Sequence, residues 1–366
     1  MEIQVNEKKG FLIIALFSLF LNGYLKGAGL VNLSLICSLV VYIIFGLIGL
    51  HVGANLLGRR QSFWQIVTIF GLLGISMFGK GTVAFTLLLL AGIFIIYIRD
   101  EDVMQIYTVA LTLDVTVCVV LSVVGITPLF SNEGLITFGF VNQNGIAFYF
   151  AIATIMWIRK AQSVLSFSIA TLVVIIESII MYYYWSCFTG LWMLVGFWVL
   201  LLLFKINMWK YLKYLLVAAP LILFLFVLII GYLYSELNSL DGLNQTLNGR
   251  PFIWNQYITR AGFKVFGSSA DVNEAEFGPI DGSYLATPLE YGAIWTVFLV
   301  FALIGINVFL GKTKQWDILA LAIVMEISGA SENKLSLIYG TPIMVFAIKH
   351  LCTKYRMNKK AVEYDS

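Results

Sequence analysis

Charge and histidine are what this sequence has least of. Only 12% of its 366 residues are charged and two are histidine. Soluble domains carry about a quarter of their residues as Asp, Glu, Lys and Arg, so a soluble globular fold is excluded. His51 and His350 each close an apolar run, which leaves no partner set for a histidine acid–base pair or a zinc centre. Cys37, Cys118 and Cys187 fall in or beside apolar segments and Cys352 lies near the C-terminus, with no Cys-x-x-Cys spacing. Neither a disulfide nor a metal site is expected. No internal repeat or low-complexity tract stands out, which disfavours transporters built on inverted repeats. The net charge of +3 comes from basic residues scattered among short polar segments. A nucleic-acid partner would need them gathered on one face.

What is abundant is apolar: 60% of the residues are hydrophobic and the mean hydropathy is +0.91. Those values indicate an all-α, polytopic membrane protein forming a single integral membrane domain over residues 1–366. With about 20 apolar residues needed per span, twelve helices are expected near 10–26, 30–50, 62–79, 81–98, 103–126, 138–158, 163–185, 188–205, 211–234, 284–310, 315–330 and 335–352. Lys8 and Lys9 precede the first, and no small-residue cleavage pattern follows it, so it reads as an uncleaved span rather than a signal peptide. If the N-terminus is cytoplasmic, Lys26, Lys80, Arg250, Arg260, Lys264 and Lys334 fall outside and the rest of the 23 Lys and Arg fall inside. This asymmetry supports both termini in the cytoplasm and the 235–283 loop on the outer face of a bacterial cytoplasmic membrane.

That loop is far longer than ordinary connections, and loops of that length are functional or disordered. It holds Phe252, Trp254, Tyr257, Phe263, Phe266 and Phe277, too many aromatics for a disordered linker, so it is expected to fold onto the bundle. Pro251 suits the first turn of a helix, which places a helix start beside Arg250. At helical spacing Arg250, Trp254, Tyr257 and Lys264 share a face with Arg260 at its edge. A face of cations beside a helix N-terminus suits a phosphate or pyrophosphate. The alternative is an amphipathic helix lying on lipid head groups.

The segment Gly249-Arg250-Pro-Phe-Ile-Trp254, followed by Phe266-Gly267, Asp281-Gly-Ser-Tyr-Leu285 and Glu290-Tyr-Gly292, resembles the outer loop of the O-antigen polymerase and ligase superfamily. Phe138-Gly-Phe-Val-Asn142-Gln-Asn144-Gly145 is similar to that family's Asn-rich segment opening a helix, and Ser331-Glu332-Asn333 to its turn before the last helix. The matches span roughly residues 135–335. Three departures stand out. Phe188 occupies the place of an expected arginine, and no basic residue precedes Gly139. Asp281 stands where ligases tend to have histidine, which is closer to the polymerases. Lys80 is a candidate replacement for the missing cation, or else marks a tight turn.

The resemblance implies glycosyl transfer between polyprenyl-pyrophosphate-linked oligosaccharides at the outer membrane face, without cofactor, metal or nucleotide. The surface product would be an O-antigen, capsule or exopolysaccharide. Membrane lipids, and in some systems a chain-length regulator and a flippase, are the implied partners. Under this reading Arg250 would stabilise the leaving pyrophosphate, with Arg260 and Lys264 as supporting cations. Asp281 would take the hydroxyl proton, ahead of Glu274, Glu276 and Asp271. Trp254, Tyr257 and Tyr284 would stack on sugars or sit as interfacial aromatics. Asn142 and Asn144 would hold sugar or phosphate or cap their helix, and Glu332 would line the site. Asp114, Glu177 and Glu326 lie in apolar spans, where ionisable groups face a cavity or pair with a neighbouring helix. The alternatives are a ligase acting on a finished glycan and, in a different class, a flippase or transporter, whose cations should line a central path instead of one long loop. A tag inserted between Asp241 and Asn248 is expected to be labelled on intact cells and one after Arg356 only after permeabilisation. The reverse pattern would invert the topology.

Overall fold

The computed structural model describes residues 5–58, 82–96, 98–131, 134–161, 163–185, 187–234, 240–267, 280–335 and 337–351. The predicted 62–79 span, Lys80, Asp271, Glu274 and Glu276 lie outside them. The described chain is helical: α1 Val5–Gly27, α2 Val31–Gly58, α3 Thr82–Phe94, α4 Asp100–Val123, α5 Gln143–Ile158, α6 Val164–Tyr183, α7 Phe188–Lys205, α8 Trp209–Leu233, α9 Asp241–Thr246, α10 Arg250–Arg260, α11 Ser283–Ala286, α12 Ala293–Thr313, α13 Trp316–Ser328 and α14 Pro342–Leu351. Among the described residues, α1, α2, α4, α6, α7, α8 and α12 are long and apolar enough to cross a membrane, seven in all. The protein is a membrane protein.

Three expected spans start or break differently, each for a local reason. The 138–158 helix begins only at Gln143, because Phe138 and Gly139 take φ of 47° and 80° and Asn142 caps the helix through Gly145 N–H at 3.1 Å. The 284–310 helix is interrupted: α11 runs into a π-turn, Thr287–Tyr291, and α12 starts after Gly292 at φ 95°. The 335–352 helix is shortened to α14, and turns occupy the residues before it.

The chain divides into two compact units. The first comprises residues 1–55, 94–210 and 314–324. In it α1 packs on α4, α4 on α5, α5 on α7 and α7 on α6. A buried hydroxyl chain holds the turn before α5: Ser122 Oγ meets Thr127 Oγ1 at 2.8 Å, Thr127 Oγ1 meets the Tyr24 hydroxyl at 2.8 Å, and that hydroxyl donates to Phe138 O at 2.8 Å. A Cβ at Gly139 would stand 2.3 Å from the Tyr24 oxygen. At the helix ends Asp102 pairs with Lys9 and Arg99, both at 2.9 Å. The buried Arg159 pairs with Glu101 and Asp317. Within the apolar helices the buried Asp114 Oδ1 and Glu177 Oε1 both meet no hydrogen-bond partner.

The second unit comprises residues 56–93, 211–313 and 325–366. Here Pro220 interrupts the hydrogen-bond ladder of α8, leaving the carbonyl four residues earlier without its donor. Asn307 of α12 supplies one, donating from Nδ2 to Leu216 O at 3.1 Å. The same amide reaches both carboxylate oxygens of Glu326 on α13, at 2.9 and 3.0 Å. Glu326 is therefore a structural pair with a neighbouring helix. An unsatisfied buried group costs roughly 1–3 kcal/mol. Asn307→Leu is accordingly expected to lower the thermal unfolding temperature, and Pro220→Ala, which restores a donor to Leu216 O, to recover part of the loss. Additive effects in a double-mutant cycle would show that the two residues do not share that carbonyl.

Candidate functional site

Helix α10 begins as its sequence predicts, with Pro251 in the first turn and Gly249 at φ 78° before it. Gly249 has no capping side chain, and Asn244 of α9 does the work instead, accepting from Phe252 N–H at 3.1 Å. The helix docks on α8 at Gly231. Asn255 Nδ2 donates to Gly231 O at 2.8 Å, and a Cβ on Gly231 would lie 2.6 Å from Ile258 Cδ1 and 2.9 Å from Trp254 Cβ. Trp254 sits edge-on to Phe226 with centroids 6.3 Å apart.

This docking corrects two expectations. Trp254 and Tyr257 are 2% and 0% exposed, so their faces are spent anchoring α10 and are not offered to a sugar. The helix ends at Arg260 and Gly262 follows at φ 65°, so Lys264 lies beyond it and does not share the Arg250 face. Arg260 and Lys264 are both exposed. Tyr284 is 1% exposed, and its hydroxyl is enclosed without a hydrogen-bond partner.

Two backbone seams fasten the segments that follow α10, and the second lies beside Arg250. In the first, residues 264–267 lie along 290–294: Ala293 N–H donates to Lys264 O at 3.0 Å. A Cβ at Gly267 would fall 2.2 Å from Glu290 O and one at Gly292 2.3 Å from Gly267 N. In the second, Ser283 fastens residues 281–284 to 329–335. Its N–H and its hydroxyl both donate to Glu332 O, at 3.2 and 2.9 Å, while its Oγ accepts from Leu335 N–H at 3.0 Å. Gly282, at φ 99°, brings the backbone so close that a Cβ would meet Ala330 O at 2.6 Å.

Arg250 closes the arrangement. Its Nη2 donates to Ser331 O at 3.3 Å and lies 3.8 Å from Asp281 Oδ2. The Arg250 side chain is 13% exposed and that of Asp281 43%, and Arg250 Nε is enclosed with no hydrogen-bond partner. The arginine stands at the positive end of α10, where an anion is favoured. Arg250, Asp281 and the Ser331–Asn333 turn are thus brought together. Asn142 and Asn144 belong to the first unit, where Asn142 is the cap of α5. Ser283 was given no role from the sequence, although it lies within the Asp281-Gly-Ser-Tyr-Leu285 segment that carries the resemblance.

No known family, characterised protein or solved structure matches this chain. The site is therefore argued from its own geometry. Gly249→Ala incurs only the left-handed backbone cost of about 1–2 kcal/mol, because nothing lies near its Cβ position. Gly282→Ala and Gly292→Ala add a collision with backbone. Both are expected to lower the unfolding temperature of the purified protein more than Gly249→Ala does. Equal shifts in the three variants would contradict the two seams.

Proposed function

We propose that the protein is a membrane glycosyltransferase that polymerises polyprenyl-pyrophosphate-linked oligosaccharide units into a surface polysaccharide. In this reading the chain has twelve spans in a bacterial cytoplasmic membrane, both termini are cytoplasmic, and the 235–283 loop works on the outer face. The observation that carries the proposal is Arg250, a mostly buried guanidinium with an unpartnered Nε, held by a weak ion pair at a helix N-terminus. A buried charge with spare donors is costly unless something completes it. A pyrophosphate oxygen is the complement that the guanidinium fork fits.

The chemistry follows from that placement. The acceptor sugar hydroxyl forms a bond to the anomeric carbon of the donor, the bond from that carbon to the pyrophosphate oxygen breaks, and the polyprenyl pyrophosphate departs with the electron pair. Arg250 and the α10 N-terminus stabilise the growing negative charge. The proton of the attacking hydroxyl passes to the carboxylate of Asp281. Glycan positioning falls to groups other than Trp254 and Tyr257, whose faces are buried.

Purified protein in lipid nanodiscs, given defined lipid-linked repeat units, is expected to produce a ladder of polymers. Losing one preorganised charge contact costs about 10²–10³ in rate, so Arg250→Ala should nearly abolish the ladder at matched protein level and unfolding temperature. Arg250→Lys should rescue poorly, since a point charge does not replace a bidentate fork. A single transfer to a different acceptor would identify a ligase. A wild-type ladder from Arg250→Ala would place the chemistry elsewhere.

A further inference from the structure

We infer that Asp281 is an intramolecular occupant of the anion position at Arg250, displaced when a pyrophosphate binds. The inference rests on the reading of Arg250 as the pyrophosphate-binding group and adds how that group is held when no substrate is present. At 3.8 Å the Arg250–Asp281 contact is at the long end of an ion pair, without the bidentate geometry that makes guanidinium–carboxylate pairs strong. The carboxylate is the more exposed partner and the guanidinium the more enclosed one.

The backbone around Asp281 is fixed. Gly282 is wedged against Ala330 O, and Ser283 is tied by three hydrogen bonds to Glu332 O and Leu335 N–H. Displacement is thus a rotation of the Asp281 side chain, and the turn itself stays in place. Ser331 O, bonded to Nη2 at 3.3 Å, keeps the guanidinium oriented while the carboxylate leaves. Two consequences follow. A pyrophosphate brings more negative charge than one carboxylate and several oxygens that fit the guanidinium fork, which favours it over the single long contact that Asp281 makes. The freed carboxylate then lies beside the bound pyrophosphate, where the attacking hydroxyl needs a proton acceptor.

The test uses the full-length protein in neutral-lipid nanodiscs and calorimetric titration with inorganic pyrophosphate at fixed ionic strength. With the Asp281 carboxylate half-exposed, the pair is worth about 0.2–1 kcal/mol, so removing the competitor should tighten binding by up to about fivefold. Asp281→Asn is expected to show that gain while forming polymer more slowly, and Asp281→Glu, which keeps the charge, to bind as the wild type does. Arg250→Ala should bind no pyrophosphate. Should the asparagine variant not fold, Asp281→Ala repeats the measurement at this half-exposed turn position. Unchanged or weaker binding in the charge-removing variants, with binding lost in Arg250→Ala, overturns the displacement and leaves the proposed function standing. Wild-type affinity in Arg250→Ala overturns both.

Discussion

In hydrocarbon a backbone N–H or C=O without a partner costs several kcal/mol, so a membrane chain departs from helix only where something inside the protein answers the freed groups. The second unit is built on that constraint. Pro220 frees Leu216 O and Asn307 answers it. The break at residues 287–292 is answered by the seam to residues 264–267. The turn after α13 is answered by Ser283. Each departure from helix brings a distant segment to a defined place, and Arg250, Asp281 and Ser331 meet where two of these segments are fastened.

Glycine makes the fastening possible. Gly267, Gly282 and Gly292 combine positive φ with backbone approaches that a side chain would block. Hydrogen bonds of 2.9–3.4 Å fasten the backbone, and beside the second seam the Arg250 guanidinium is held by one long ion pair and one carbonyl. An under-satisfied charge in that position is what the proposed pyrophosphate would complete. Arg159 in the first unit is more deeply buried and its Nε also lacks a hydrogen-bond partner, but it differs from Arg250 in pairing closely with two carboxylates.

Much of this was legible in the residues. The helix at Arg250 followed from Pro251, because a fixed φ and a missing N–H fit the first turn. The grouping of Arg250, the Asp281 turn and the Ser331 turn followed from the motif resemblance. Helical spacing correctly placed Trp254 and Tyr257 on one face, but spacing reports only that a face exists and says nothing of what covers it. Against Gly231 the aromatics became an anchor. The same gap explains the helix start misplaced at residue 138. Its left-handed turn depends on the Tyr24 hydroxyl, more than a hundred positions earlier in the chain.

Composition and charge placement determined by themselves that the protein is helical and lies in a membrane. Transfer from water to hydrocarbon is a sum over local residues, and a local sum can be read from a string. Only the tertiary structure decided which polar groups are spent and which stay available. That Glu326 is occupied by Asn307, that Trp254 is buried, and that Arg250 Nε is left without a partner are outcomes of pairings between distant segments. Such pairings are settled by geometry and by competition among many possible partners, and no residue's own chemistry contains the answer.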